Sequence, residues 1–169
     1  MSLFFGLLTP DMDRSGFACG EPALDAYLHK QAGQDMKRGF ATVVAARDSM
    51  RPDAVLGFCT LSAASILLTA LPEETAPKIP RYPAVSAIRL GRLAVSSSAQ
   101  RQHIGSLLVL DALRRGCCNE LGWAVFLVGA KHDNAAIFYE RFHFQRFRES
   151  RLSLWMHRKQ AEILVKNLK

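Results

Sequence analysis

The chain has 169 residues, one domain's worth, and its 49% hydrophobic and 22% charged content can bury a core. That balance excludes intrinsic disorder, a collagen-like rod and a disulfide-stapled miniprotein. Net charge is +7 and uneven: residues 1–75 carry 6 basic and 9 acidic side chains, −3, whereas residues 76–169 carry 16 and 6, +10. A polyanionic partner suits such a chain, because basic groups displace counterions from phosphates; a solvated basic surface has the same signature.

In chain order, Met1 to Leu8 is apolar but lacks a basic lead and runs into Thr9-Pro10-Asp11, so it is not a signal peptide. Gly16 to Pro22 is rich in turn residues. A helix is predicted from Pro22, with Leu24, Tyr27, Leu28 and Gln31 on one face; Gly33 ends it, and Gly39 ends the next short piece. Phe40 to Ala46 reads as a strand, Asp48 to Asp53 as a hairpin turn, and Ala54 to Ser65 as the partner strand with a bulge at Gly57. No charge lies between Asp53 and Glu73, close to a membrane-spanning length, yet Gly57, Thr60, Ser62, Ser65 and Thr69 interrupt it and no span is expected. Pro72, Pro77, Pro80 and Pro83 then make a connector that is neither helix nor central strand.

Ser86 to Val95 resumes strand character, and Ser96 to His103 forms a polar loop. A helix follows from Ile104, with Arg114-Arg115 in its last turn and Gly116 beyond it. Trp123 to Gly129 is an apolar strand expected at a sheet centre. Asn134 is placed to cap a short helix through Arg141. Phe142 to Phe147 and Arg151 to Trp155 read as a strand pair, and Gln160 to Leu168 as a basic amphipathic helix. The order of elements gives a mixed α/β domain. Of the four cysteines, Cys19 and Cys59 stand alone and Cys117-Cys118 are adjacent, so they are read as reduced thiols of a cytoplasmic protein, the pair as buried packing. His132 and Asp133 have no third ligand at matching spacing, and no metal is expected.

The most informative unit is strand Ser86–Val95, loop Gln100-Arg101-Gln102-His103-Ile104-Gly105-Ser106, then helix. The first turn of a helix presents unpaired N–H groups and the positive end of its macrodipole, an anion site suited to a pyrophosphate. Gly105 lets the backbone approach a ligand and Arg101 adds a mobile charge. An ordinary strand–helix turn has the same outline.

Leu93-Ala94-Val95, that loop, and Asn134-Ala135-Ala136-Ile137-Phe138-Tyr139-Glu140-Arg141-Phe142-His143-Phe144 together resemble the GNAT acetyltransferase family. In that family a Q/R-x-x-G-x-G/A loop binds the pyrophosphate of acetyl-CoA, and an A-x-x-F-Y-x-x-x-G-F segment lies beside the pantetheine and thioester. Phe17-x-Cys19-Gly20-x-x-x-Leu24-Asp25-x-Tyr27-Leu28, the connector end Pro80-Arg81-Tyr82-Pro83, and Leu90-Gly91-Arg92-Leu93-Ala94-Val95 resemble the GNAT toxins of bacterial toxin–antitoxin modules. The resemblance implies one GNAT domain over residues 1–169, with a mixed, mostly antiparallel central sheet flanked by helices. Two positions depart from the pattern: His103 stands at the loop's first glycine, and His143 at the glycine of the G-F pair. A positive φ at His103 is strained for a residue with a side chain.

The resemblance implies acetyl-CoA contacts at Leu93, Ala94, Val95, Gln100, Arg101, Gln102, His103, Ile104, Gly105, Ser106, Asn134 and Phe138, with no metal. Tyr139 is the implied proton donor to the CoA thiolate; a phenol with pKa about 10 stays protonated at neutral pH, though its spacing with Phe138 and Phe142 also fits core. No carboxylate occupies a base position along Arg89 to Val95, which suits an α-amino group of pKa about 7.7–8.0 better than a lysine at about 10.4. The implied activity is acetylation of the α-amino group of aminoacyl-tRNA, blocking translation. Arg81, Arg89 and Arg92 are the candidates for RNA contact, although any of them also reads as a plain surface residue. The implied partners are a second copy of the chain, as a homodimer, and a ribbon-helix-helix antitoxin. A GNAT enzyme acting on a small amine or a protein N-terminus, and a GNAT-like binding module without acetyl-CoA, are the alternatives.

Overall fold

The computed structural model describes residues 2–75 and 82–168. Seven strands run in the order β1-β2-β3-β4-β5-β7-β6. They are β1 (Leu3–Leu7), β2 (Thr42–Asp48), β3 (Gly57–Leu67), β4 (Ala84–Val95), β5 (Val125–Gly129), β6 (Gln145–Arg146) and β7 (Ser153–His157). β4 and β5 pair in parallel, and the β1–β2, β2–β3, β5–β7 and β6–β7 pairs are antiparallel, so the sheet is mixed and mostly antiparallel as expected. Two compact units share the chain: Met1–Ser62 with Gly91–Ala112, and Ala63–Leu90 with Leu113–Lys169.

In the first unit, the apolar start of the chain is the strand β1, which pairs with β2 through Leu3↔Asp48 to Leu7↔Val44. The helix predicted from Pro22 is three joined pieces: α1 (Pro22–Ala26), a π-helical turn (Tyr27–Gln31) and α2 (Ala32–Arg38). Gly33 does not end it. A glycine inside a helix costs only about 1 kcal/mol, and Ala32 beside it is fully buried. Gly39 does end it, with φ of 76° in the left-handed region open to glycine. Phe58 is the centre of this core, with Phe17 5.6 Å and Tyr27 6.0 Å away between ring centroids. Val44↔Cys59, Ala45↔Phe58 and Ala46↔Gly57 keep regular register. The Ala46 carbonyl also accepts the Leu56 N–H at 2.9 Å, so Leu56 and Gly57 both oppose Ala46, as in the bulge expected there. The glycine also serves close packing. A Cβ there would stand 3.1 Å from the Ala94 carbonyl oxygen and 3.2 Å from Ile104 Cγ2.

In the second unit β4 pairs with β5 from Ala87↔Val125 to Leu90↔Val128, and β5 pairs with β7 on its other side. An apolar strand between two neighbours is what its run of buried residues predicts. Helix α3 (Ile104–Cys118) continues through Gly116, three residues past its expected end at Arg115, and the Gly116 carbonyl accepts the Trp123 indole N–H at 2.8 Å. Helix α4 (Asp133–Glu140) is capped by His132, not Asn134: a His132 ring nitrogen accepts the Ala135 N–H at 3.2 Å. Helix α5 (Arg158–Lys166) closes the chain. Among the described residues no helix is long and apolar enough to cross a membrane; much of the charge-free stretch is strand β3. All four cysteines are free thiols, and Cys118 is exposed rather than buried.

Candidate active site

The first set of candidate residues lies in the first unit. On β4 the Arg92 N–H donates to the buried Thr60 hydroxyl at 2.9 Å. Ala94 packs into the core, and Leu93 and Val95 are half-buried. The chain then turns under firm hydrogen bonding: Ser96 N–H to Leu56 carbonyl and Ser97 N–H to Ala18 carbonyl, both 2.8 Å. Gln100 belongs to the same scaffold. Its side-chain amide donates to the Cys19 and Val95 carbonyls, both at 3.2 Å, and so staples the loop.

The next three residues, Arg101, Gln102 and His103, are exposed. Arg101 and His103 both take left-handed backbone, with φ of 62° and 60°. A side-chain-bearing residue there costs roughly 1–2 kcal/mol, and His tolerates the region better than most. His103 thus takes a backbone conformation that a glycine adopts without strain. In turns of this kind successive N–H groups form concavities that bind anions. The Leu107 N–H donates to the His103 carbonyl at 3.0 Å, so α3 begins there. By helix geometry the amides of Ile104, Gly105 and Ser106 have no carbonyl one turn earlier and face any ligand with the positive end of the macrodipole.

Arg92 has a second engagement that the sequence did not announce. Its guanidinium lies 3.8 Å above the centroid of the Tyr27 ring. The Tyr27 hydroxyl donates to Asp35 at 2.9 Å, and Gln31 donates to the same carboxylate at 2.9 Å. Burial, then the Asp35 contact, pushes the Tyr27 phenol up to about 12. The side chain remains exposed, so this stacking orders Arg92 without removing it from solvent. Arg89 is exposed on the part of β4 that belongs to the second unit, opposite Leu127 in register. Arg81 lies outside the described residues. Burial, then the Asp25 hydrogen bond, pushes the Cys19 thiol up to about 11, which favours the thiol form.

The second set lies on α4 in the other unit. Asn134 is exposed in the first turn, Phe138 is half-buried, and Tyr139 is 6% exposed. The Tyr139 ring meets Phe138 at 5.2 Å and Phe144 at 6.0 Å, both edge to face. Tyr139 is therefore packed as core residues are, and its ring orientation is fixed by two neighbours. After α4 the chain turns through His143 at φ 67°, its N–H donating to the Glu140 carbonyl at 2.9 Å. This second histidine also adopts the backbone of the glycine it replaces. Arg146 on β6 then reaches back: Nε and a terminal nitrogen donate to the two Glu140 oxygens at 2.8 and 3.2 Å, and the other terminal nitrogen to Asp133. That contact holds the Asp133 carboxyl below the usual range. His132 and Asp133 are thus a helix cap and an ion-pair partner. Among the described residues no three His, Cys, Asp or Glu side chains gather to hold a metal.

Residues 38–146 match the acetyltransferase (GNAT) domain family. A tRNA-acetylating toxin of Mycobacterium tuberculosis is 33% identical over 156 residues, 90% of each chain. Among solved structures, AtaT complexed with acetyl-methionyl-tRNAfMet superposes with a TM-score of 0.89 at 28% identity, covering 96% of this chain and 99% of the other. AtaTR bound with acetyl-CoA gives a TM-score of 0.82 at 27% identity, covering 96% and 97%.

Proposed function

Because the chain belongs to the GNAT acetyltransferase family, we propose that it is an acetyl-CoA-dependent toxin that acetylates the α-amino group of aminoacyl-tRNA and so blocks translation. The observation that carries this reading is the left-handed backbone at Arg101 and His103, at the loop leading into α3. That backbone supports the reading that the anion-binding amides keep their form although a glycine is missing, against the alternative of a GNAT-like module without acetyl-CoA. The likeness to a tRNA-acetylating toxin and to AtaT with acetyl-methionyl-tRNAfMet supports the substrate class.

Bound acetyl-CoA supplies an activated acetyl group as a thioester. The amides of Ile104, Gly105 and Ser106, with the Arg101 side chain, hold its pyrophosphate, while Gln100 braces the loop from behind. Leu93, Ala94 and Val95 offer strand backbone to the pantetheine, and a backbone N–H at the end of that strand polarises the thioester carbonyl. The family resemblance also gives Asn134 and Phe138 as acetyl-CoA contacts. Attack by the neutral amine forms the C–N bond, the C–S bond breaks, and the Tyr139 phenol gives its proton to the departing thiolate. The proton released from the acceptor nitrogen passes to water. An α-amino group of pKa about 7.7–8.0 is substantially neutral near pH 7.5, so no carboxylate base is required. Arg81, Arg89 and Arg92 contact the RNA, which the basic C-terminal part of the chain draws in. The chain works in the cytoplasm as a homodimer, neutralised by a ribbon-helix-helix antitoxin.

The test is transfer of label from acetyl-CoA to bulk aminoacyl-tRNA. Wild type should label the RNA, and Tyr139→Phe should lower kcat by about 10²–10⁴. Label on a small amine or a protein N-terminus in place of tRNA would move the assignment to that acceptor.

A further inference from the structure

Helix α4 has eight residues, from Asp133 to Glu140, and Tyr139 lies next to its end. A helix of two turns is marginal by itself and takes its position from tertiary ties. One side chain ties both of its ends. Arg146 grips both oxygens of Glu140 at 2.8 and 3.2 Å and also reaches Asp133 at the opposite end. A further Arg146 N–H reaches the Arg151 carbonyl at 3.5 Å. The Arg146 side chain is 17% exposed, against 63% for Asp133 and 41% for Glu140, so the cation is the ordered centre of the cluster. A planar guanidinium suits this task, because its fork can satisfy two carboxylates at once while an ammonium cannot match both geometries.

We propose that Arg146 is a positioning residue for acetyl transfer: by clamping Asp133 and Glu140 it fixes the turn of α4 that carries Tyr139, and thereby the place of the phenolic proton donor. This rests on the assignment of Tyr139 as that donor. The loop amides Ile104 to Ser106 are on a different element, so loss of the clamp should spare capture of acetyl-CoA and slow the chemical step.

Steady-state acetyl transfer to aminoacyl-tRNA by full-length wild type, Arg146→Ala, Arg146→Lys, Tyr139→Phe and the Arg146→Ala/Tyr139→Phe double variant tests it. Arg146→Ala should lower kcat by about 10- to 100-fold, the cost of a reacting group displaced by an ångström or so, with KM for acetyl-CoA changed less than about twofold. Arg146→Lys should recover part of the loss. In the Tyr139→Phe background Arg146→Ala should cost nothing further, because both act through one phenol. An unchanged kcat, a KM that rises in step with the fall, or a loss repeated in full without the phenol would each overturn the proposal. If Arg146→Ala does not fold, Glu140→Gln gives the same comparison, with a smaller fall that also vanishes in the Tyr139→Phe background. Amide hydrogen exchange separates this idea from the substrate assignment, since it needs no acceptor. Exchange across residues 134–142 should quicken about tenfold or more in Arg146→Ala, and unchanged exchange would overturn the clamp even if tRNA proved the wrong acceptor.

Discussion

Asp35 accepts one hydrogen bond from Gln31 and one from the Tyr27 hydroxyl, and these donors lower its pKa in the folded chain. A carboxyl with a depressed folded pKa stabilises the fold above its unfolded value, about 3.9, and that contribution is lost as pH falls through the folded value. The thermal midpoint of Asp35→Asn should therefore lie below wild type at pH 7, with the gap closing as melts are taken toward pH 3. A gap independent of pH would mean that the carboxylate charge is not what matters. Tyr139 presents a different problem at this scale. Its packing against Phe138 and Phe144 is ordinary core packing, so neither spacing nor burial separates a proton donor from a structural tyrosine. Only the family match gives it a role to test.

At the scale of elements, the strand–loop–helix unit from β4 into α3 was readable because apolar periodicity and the polar loop between its halves both speak locally. The left-handed pair in the loop could be anticipated at His103 only from the resemblance. Arg101 carried no such sign, and its φ of 62° is a property of the folded turn. β1 was missed because five apolar residues at a chain start have no period of their own, and only pairing with β2 makes them a strand. The His132 cap was assigned to Asn134 since Asn is a common capping residue and His is not. The Arg146 clamp joins residues 6 and 13 positions apart across a turn, a separation that no helical or strand period marks. Gly57 is the element-scale position open to direct test. In Gly57→Ala the new methyl would press on the Ala94 carbonyl at 3.1 Å, a backbone atom that cannot swing aside. Overpacking of this kind costs about 1–3 kcal/mol, and because Ile104 lies 3.2 Å away the start of α3 should shift with it. Denaturant unfolding should show the loss, and acetyl-CoA binding should weaken in parallel; a variant of wild-type stability would show that the strand and helix have slack.

For the whole molecule the decisive property is charge. A net +7, concentrated beyond residue 75, should make RNA affinity fall steeply with salt. Raising KCl from about 50 to 200 mM should raise the KM for aminoacyl-tRNA tenfold or more, while the KM for acetyl-CoA, a much smaller ligand, moves far less. Parallel, shallow salt curves would argue that the basic surface does not carry the RNA. The most direct measurement of the central claim is transfer of labelled acetyl groups from acetyl-CoA to bulk aminoacyl-tRNA, with wild type beside Tyr139→Phe. The expected result is acetylated α-amino groups on the RNA with wild type and a loss of about 10²–10⁴ in rate with the variant. Acetyl-CoA bound by a folded wild-type chain with no label on the RNA would contradict it.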